Sequence, residues 1–204
     1  MRCPTETAAK ALELAGAEVV EIDLPHASLS DPTTVGWLII YPECASLHEI
    51  DNERLGEYGH EFAQLLINAQ FINAIDYLRA LRLRHLIQLD FEAAFEKVDV
   101  VLTPGAAAPA PRFEDMLVRI DGKDYGWLEV IPRTTTIFNM TGMPALSIPS
   151  GLSSTGLPIG IQIAAAPHND AACLRTGHVF QQLTDHHKAR PRLLSQAATT
   201  KRST

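Results

Sequence analysis

Several things are scarce in this 204-residue chain, and each shortage removes a class of function. Basic residues are outnumbered: the formal net charge is −7, so no general attraction for nucleic acid or anionic lipid is expected. Long apolar runs are missing. No stretch approaches about eighteen consecutive apolar residues, so no membrane span is expected. There are 3 cysteines, Cys3, Cys44 and Cys173, odd in number and far apart. They suggest neither a disulfide framework nor a zinc knuckle. With no basic-then-apolar leader at the start, a reducing cytoplasm is the expected compartment. Disorder is excluded by the 46% hydrophobic content.

Motifs that bind metals or phosphates are also absent. The histidines are His26, His48, His60, His85, His168, His178, His186 and His187. No pair stands in His-Glu-x-x-His form, and adjacent His186 and His187 would point about 100° apart on a helix. Neither Gly-x-x-x-x-Gly-Lys nor Gly-x-Gly-x-x-Gly occurs, and lysines are confined to positions 10, 97, 123, 188 and 201. No metal or cofactor is expected. The Gly-x-Ser-x-Gly elbow is missing too. Ser147 falls inside an expected strand and Ser150 at its end, while Ser153 and Ser154 fall in a connection where hydroxyls cap turns. With no base nearby to activate any of them, no catalytic residue is assigned.

What is present reads as helices and strands in alternation. Thr5 can cap a helix over 5–15, with Gly16 as its left-handed terminator, followed by a strand over 17–24. Residues 26–36 read as loop with a turn at Asp31-Pro32, 37–47 as a buried helix (35–41 could also pass as a strand), and 51–59 as a surface connection. A helix spans 60–71. Asn73 caps a long one reaching about Lys97, with Asp76 completing a loose capping box. Its expected inward residues are Tyr77, Leu78, Leu81, His85, Leu89 and Phe95, with Arg79, Arg82 and Arg84 in solvent. Strands are expected at 98–103, 145–149 and 159–165, a small hairpin about Asp121-Gly122, and a last helix over 169–184. The class is α/β: a mixed β-sheet flanked by helices, in one partial domain over 1–194 with a polar tail at 195–204.

Ligands in such folds gather at strand ends. Two loops qualify: Thr103-Pro104-Gly105, and the run Phe138-Asn139-Met140-Thr141-Gly142-Met143-Pro144, where Gly142 allows unusual backbone and Pro144 sets entry to a strand. A plain glycine-proline turn is the simpler account of either loop taken alone.

Several segments in fixed order carry a resemblance. They are Val98-Asp-Val-Val-Leu-Thr-Pro104, Phe138-Asn-Met-Thr-Gly-Met-Pro-Ala-Leu-Ser-Ile-Pro149 and Gly156-Leu-Pro-Ile-Gly-Ile-Gln162, with Asp76-Tyr77-Leu78-Arg79-Ala80 upstream. Together they resemble the C-terminal half of the amidase-signature family, over about residues 5–192. The resemblance implies hydrolysis of carbon–nitrogen amide bonds on a single sheet wrapped in helices. It implies a serine nucleophile, a bridging serine and a lysine, where a neutral lysine deprotonates serine through the bridging hydroxyl and backbone amides hold the oxyanion. The family's lysine and Gly-Gly-Ser-Ser-Gly-Gly-type signature belong to its N-terminal half, so no catalytic residue transfers here.

Pocket wall does transfer by similarity: Thr103, Pro104, Thr135, Thr136, Ile137, Phe138 and Asn139, near the acyl side of a small-molecule amide substrate. The stretch after Pro104, Gly105-Ala-Ala-Ala-Pro109, is smaller and less polar than in many relatives. The implied partner is the N-terminal half or a second chain carrying it, with self-association possible. A binding or regulatory module of the same fold, or one chain of a split amidase or amidotransferase, is the alternative.

Overall fold

The computed structural model describes residues 4–48 and 54–191. Helix α1 (Pro4–Leu14) ends where expected: Gly16 is left-handed at φ 96°, and Ala17 N–H reaches back to the Leu12 carbonyl at 3.1 Å. Thr5 lies inside the helix with its hydroxyl buried and unpartnered, so it is not the cap. The expected strand over 17–24 forms no ladder. A strand needs a neighbour, and here Ile22 and Leu24 pack on the core while Val19 and Val20 stay about half exposed.

Residues 26–36 are more ordered than a loop. Helix α2 (Pro25–Leu29) opens the segment, and Asp31-Pro32 starts helix α3 (Pro32–Leu47) instead of a turn. The Asp31 carboxylate accepts from Thr33 N–H at 3.2 Å and the Thr34 hydroxyl at 2.7 Å, and Pro32 occupies the first turn, where a missing N–H costs nothing. A single 3-10 turn at Leu55–Glu57 precedes helix α4 (His60–Ala69).

Helix α5 (Ala74–Phe95) is capped by Asn73, whose side-chain carbonyl oxygen accepts from Asp76 N–H at 3.0 Å. The return bond comes from the Asn73 side-chain amide to the Asp76 carboxylate, at 2.7 Å. The inward stripe is rotated from expectation. Ala80, Ile87, Asp90, Phe91 and Ala94 are buried, Tyr77, Leu81 and Phe95 pack partly, and Leu78, His85 and Leu89 face out. Arg79 and Arg82 are exposed, but Arg84 is half-buried with its Nε unpartnered. Apolar residues line both sides of this helix, so their spacing alone could not select the packed face.

Strand β1 (Val101–Pro104) is shorter than 98–103 suggested. The hairpin about Asp121-Gly122 is present, as β2 (Leu117–Ile120) and β3 (Lys123–Gly126), followed by α6 (Trp127–Val130), a 3-10 turn at Ile131–Thr134 and α7 (Thr136–Thr141). Gly142, left-handed at φ 76°, ends α7: its N–H and that of Met143 both donate to the Phe138 carbonyl, at 2.9 and 3.2 Å. Strands β4 (Ala145–Leu152) and β5 (Pro158–Ala164) form a hairpin with an irregularity between Pro149 and Gly151. Helix α8 (Asp170–Leu183) follows; Asn169 precedes it without a side-chain cap bond. The polar tail at 195–204 lies outside the described residues.

The main sheet has the order β1-β5-β4, and its ladders are antiparallel. Helices flank both faces. Ala8 and Leu12 of α1 and Phe180 of α8 cover Ile148, Ile161 and Ile163 on one face. On the other, Val101 and Ala164 join Val35, Ile39, Ile87, Phe91, Phe138 and Met140 from α3, α5 and α7. At one end the strands close tightly: Gly105 N–H donates to the Gly160 carbonyl at 2.9 Å, and a Cβ on Gly105 would lie 2.9 Å from the Gly160 carbonyl carbon.

Candidate functional site

Strand alternation sorts the sheet into two kinds of row. Register pairs Leu102 with Ile163 and Ile163 with Leu146, an apolar row toward α1 and α8. The next row pairs Thr103 with Gln162 and Gln162 with Ser147 and faces the other way, on the side of Val101 and Ala164. Three polar side chains therefore stand abreast on three strands, beside the core residues Val101 and Ala164.

Gln162 is at the centre and only 5% exposed. A buried amide costs about 1–3 kcal/mol unless it finds partners. Its Nε2 donates to two main-chain carbonyls, Thr134 at 3.1 Å and Pro104 at 3.4 Å. The end of β1 and the turn before α7 are joined in this way. The hydroxyls of Thr103 and Thr134 are buried and without a partner among the described groups. Ser147 is exposed, as are Ala145 and Pro149 on the same side of β4, so this flank of the sheet is uncovered.

The residues expected at a pocket wall divide accordingly. Thr103 and Pro104 sit at the β1 end, linked through Gln162 to the segment that carries Thr135. The Thr135 hydroxyl turns back to the Pro132 carbonyl at 3.2 Å. The Thr136 methyl presses on Gly36 of α3, where there is no room for a side chain. Ile137 packs on the core, and Phe138 is 2% exposed with its ring 5.7 Å from that of Phe91. Asn139 is exposed and donates its backbone N–H to the Thr135 carbonyl at 3.3 Å. Gln162 and Thr134 are not among the residues the sequence nominates for the site. The usable signal is Gln162 itself, a lone polar residue in the run Ile159-Gly-Ile-Gln-Ile-Ala-Ala165, on the face opposite Ile161 and Ile163.

No cluster of three His, Cys, Asp or Glu side chains suited to a metal ion occurs among the described residues, and no described helix is long and apolar enough to cross a membrane. Titration is perturbed elsewhere: burial raises the Cys173 thiol, which also donates to the Pro144 carbonyl at 3.5 Å. Two surface hollows lie apart from the polar row. One, about 470 Å³, runs along α5 beside Leu78, Leu81, Arg82, His85 and Leu86. The other, about 210 Å³, lies between the β4–β5 hairpin and His186–Lys188. The row brings together hydroxyl and amide side chains, groups that donate and accept hydrogen bonds.

Known proteins of similar sequence and similar fold exist. The amidase family profile matches residues 1–174. The A subunit of glutamyl-tRNA(Gln) amidotransferase from Geotalea daltonii is 34% identical, over 87% of this chain and 40% of its own length. Its counterpart from Desulforudis audaxviator is also 34% identical, over 90% of this chain and 41% of its own. The chain thus spans about two fifths of the curated relatives it matches. A solved chain from a vestigial protein complex, tied to the origins of an s-triazine catabolic enzyme, superposes with TM-score 0.76 and 26% identity, over 88% of this chain and 38% of that one. The 6-aminohexanoate cyclic dimer hydrolase, solved with substrate, shares the fold at TM-score 0.73 and 21% identity, over 94% and 42% of the two chains.

Proposed function

Since the chain belongs to the amidase family, we propose that it forms the core and one substrate wall of an amide-hydrolysing site whose serines and lysine are carried by another portion of the fold. That portion is either part of the same polypeptide or a second chain. The observation that carries this reading is the polar row Thr103–Gln162–Ser147, on a sheet face that is apolar elsewhere and uncovered over β4. Polar groups held ready at a strand end suit a ligand with both hydrogen-bond donors and acceptors, which an amide is. The Ser147 hydroxyl, on the uncovered flank, can donate to an amide carbonyl or accept from its nitrogen, while the buried Thr103 hydroxyl lies behind it and Gln162 ties the row to Pro104 and to the segment of Thr135. Ile137 and Phe138 support this wall from behind, through Phe91.

Bond cleavage then needs an activated nucleophile from outside this surface, and the described side chains by themselves give a site that binds and does not turn over. The test is release of ammonia or amine from simple amides by the purified 204-residue chain. None is expected. Release that is abolished by substituting a residue of this chain would overturn the reading. A second chain carrying the family's serines and lysine should restore turnover. The relatives' description as an amidotransferase component favours a variant in which the chain works inside an assembly, and binding to such a partner distinguishes it from a self-contained amidase.

A further inference from the structure

We propose that Gln162 is a positioning residue that sets the gap between the two parts of the substrate wall, Thr103–Pro104 and the segment leading into Thr135–Asn139. The inference rests on the reading of this face as an amidase substrate wall. Three observations carry it. Gln162 occupies the central strand β5, the element held on both sides by ladders. Its single side-chain nitrogen donates to the carbonyls of Pro104 and Thr134, 58 and 28 residues away in sequence. No other hydrogen bond joins the two segments among the described residues.

The geometry makes this amide more than a satisfied core group. Ile161 and Ile163, its neighbours on the strand, are fully buried against α1 and α8, so β5 is fixed independently of Gln162. The turn at Ile131–Thr134 has no ladder of its own, and its final carbonyl is held by Gln162. The buried, unpartnered hydroxyls of Thr103 and Thr134 belong to the residue paired with Gln162 across the ladder and to the residue whose carbonyl it holds. Moving the amide would shift both relative to one another. A residue that fixes such a gap alters which ligand fits before it alters how fast a bound ligand reacts.

The test uses Gln162→Leu, which keeps bulk and removes both donated bonds, and Gln162→Glu, whose carboxylate would face two carbonyls. In the 204-residue chain, hydrogen exchange of amides within 131–136 is expected to speed up by about tenfold in Gln162→Leu, with α8 unchanged. In the enzyme assembled with its serine- and lysine-bearing portion, KM for amides should rise about tenfold. The preference between short and bulky acyl groups should change, with kcat altered less than KM. A fall in kcat alone, or uniform acceleration of exchange across the chain, would overturn the proposal and leave Gln162 a structural residue. If the variants do not fold, the wild-type chain decides: the Gln162 side-chain amide protons should exchange slowly in nitrogen-edited NMR, and fast exchange of both overturns the clamp. Should the assembled wild-type enzyme hydrolyse no amide while Gln162→Leu still loosens 131–136 selectively, the amidase reading fails and the clamp stands.

Discussion

On β5, Ile161 and Ile163 point toward α1 and α8, whereas Gln162 and Ala164 point toward α5 and α7. The first face is closed and apolar, filled by Ile148, Leu12 and Phe180. The second contains core residues at one end, a buried carboxylate on the helix above it, and at the other end a polar row in which the buried Thr103 hydroxyl has no partner among the described residues. Both faces come from the same three strands. Their difference supports the proposal that the second face serves a ligand, because a row of polar side chains is a cost that a purely apolar core avoids.

Four tests can break or sharpen that contrast. Ile161→Ala on the closed face should be the most damaging, costing about 3–4 kcal/mol in denaturant unfolding, because the side chain is 0% exposed and the cavity cannot collapse between two ladders. A loss below about 1 kcal/mol would mean the face is not closed. Asp90→Ala comes next, at about 2–3 kcal/mol. The Asp90 carboxylate accepts from the backbone N–H groups of His26 and Ala27 at 2.7 and 3.1 Å and from His26 Nδ1 at 2.7 Å, tying α2 to α5. Thermal melts of Asp90→Ala and Asp90→Asn should rank them in that order of damage, since the amide oxygen still accepts.

The paired change Leu78→Ser with Leu86→Ser should move stability by no more than about 0.5 kcal/mol per site, because both side chains already face out. It should reduce self-association in sedimentation, since these residues line the apolar hollow on α5. An unchanged sedimentation profile would remove α5 from any contact between copies. The smallest effect is Asp185→Asn. Its hydrogen bond and ion pair with Lys188, at 2.7 Å, hold the carboxyl below its ordinary value. The stabilisation is therefore present above that ordinary value and fades as pH falls through the lower folded one. Wild type and Asp185→Asn should converge in acid, with a barely measurable gap near neutrality, as expected for an exposed pair.

Much of the fold is legible along the chain. Gly16 and Asn73 act locally, through a backbone conformation and a cap that need only neighbouring residues, and stop and start their helices as read, while Gly142, read as a place of unusual backbone in a loop, ends a helix. The β4–β5 hairpin and the small hairpin at Asp121-Gly122 are local as well. Where expectation and structure part, the question is one of partnership. Residues 17–24 alternate like a strand but have no ladder. Helix α5 could have packed by either apolar side, and the side chosen contains Asp90, a residue that spacing alone would place in solvent. At the site, Thr103 and Pro104 are readable as a strand end, while the placement of Phe138 behind the wall and of Gln162 within it is not.

The sequence by itself determined the family, most of the helices and strands, and the turns and helix ends that glycine imposes, because these depend on linked motifs and on short-range sterics. Only the tertiary structure decided which faces are closed and which polar atoms meet. Those outcomes depend on contacts between residues far apart in the chain, as when one amide on β5 reaches carbonyls 28 and 58 positions away. Local propensity has no access to such distances, and burial decides there which hydrogen bonds must be made.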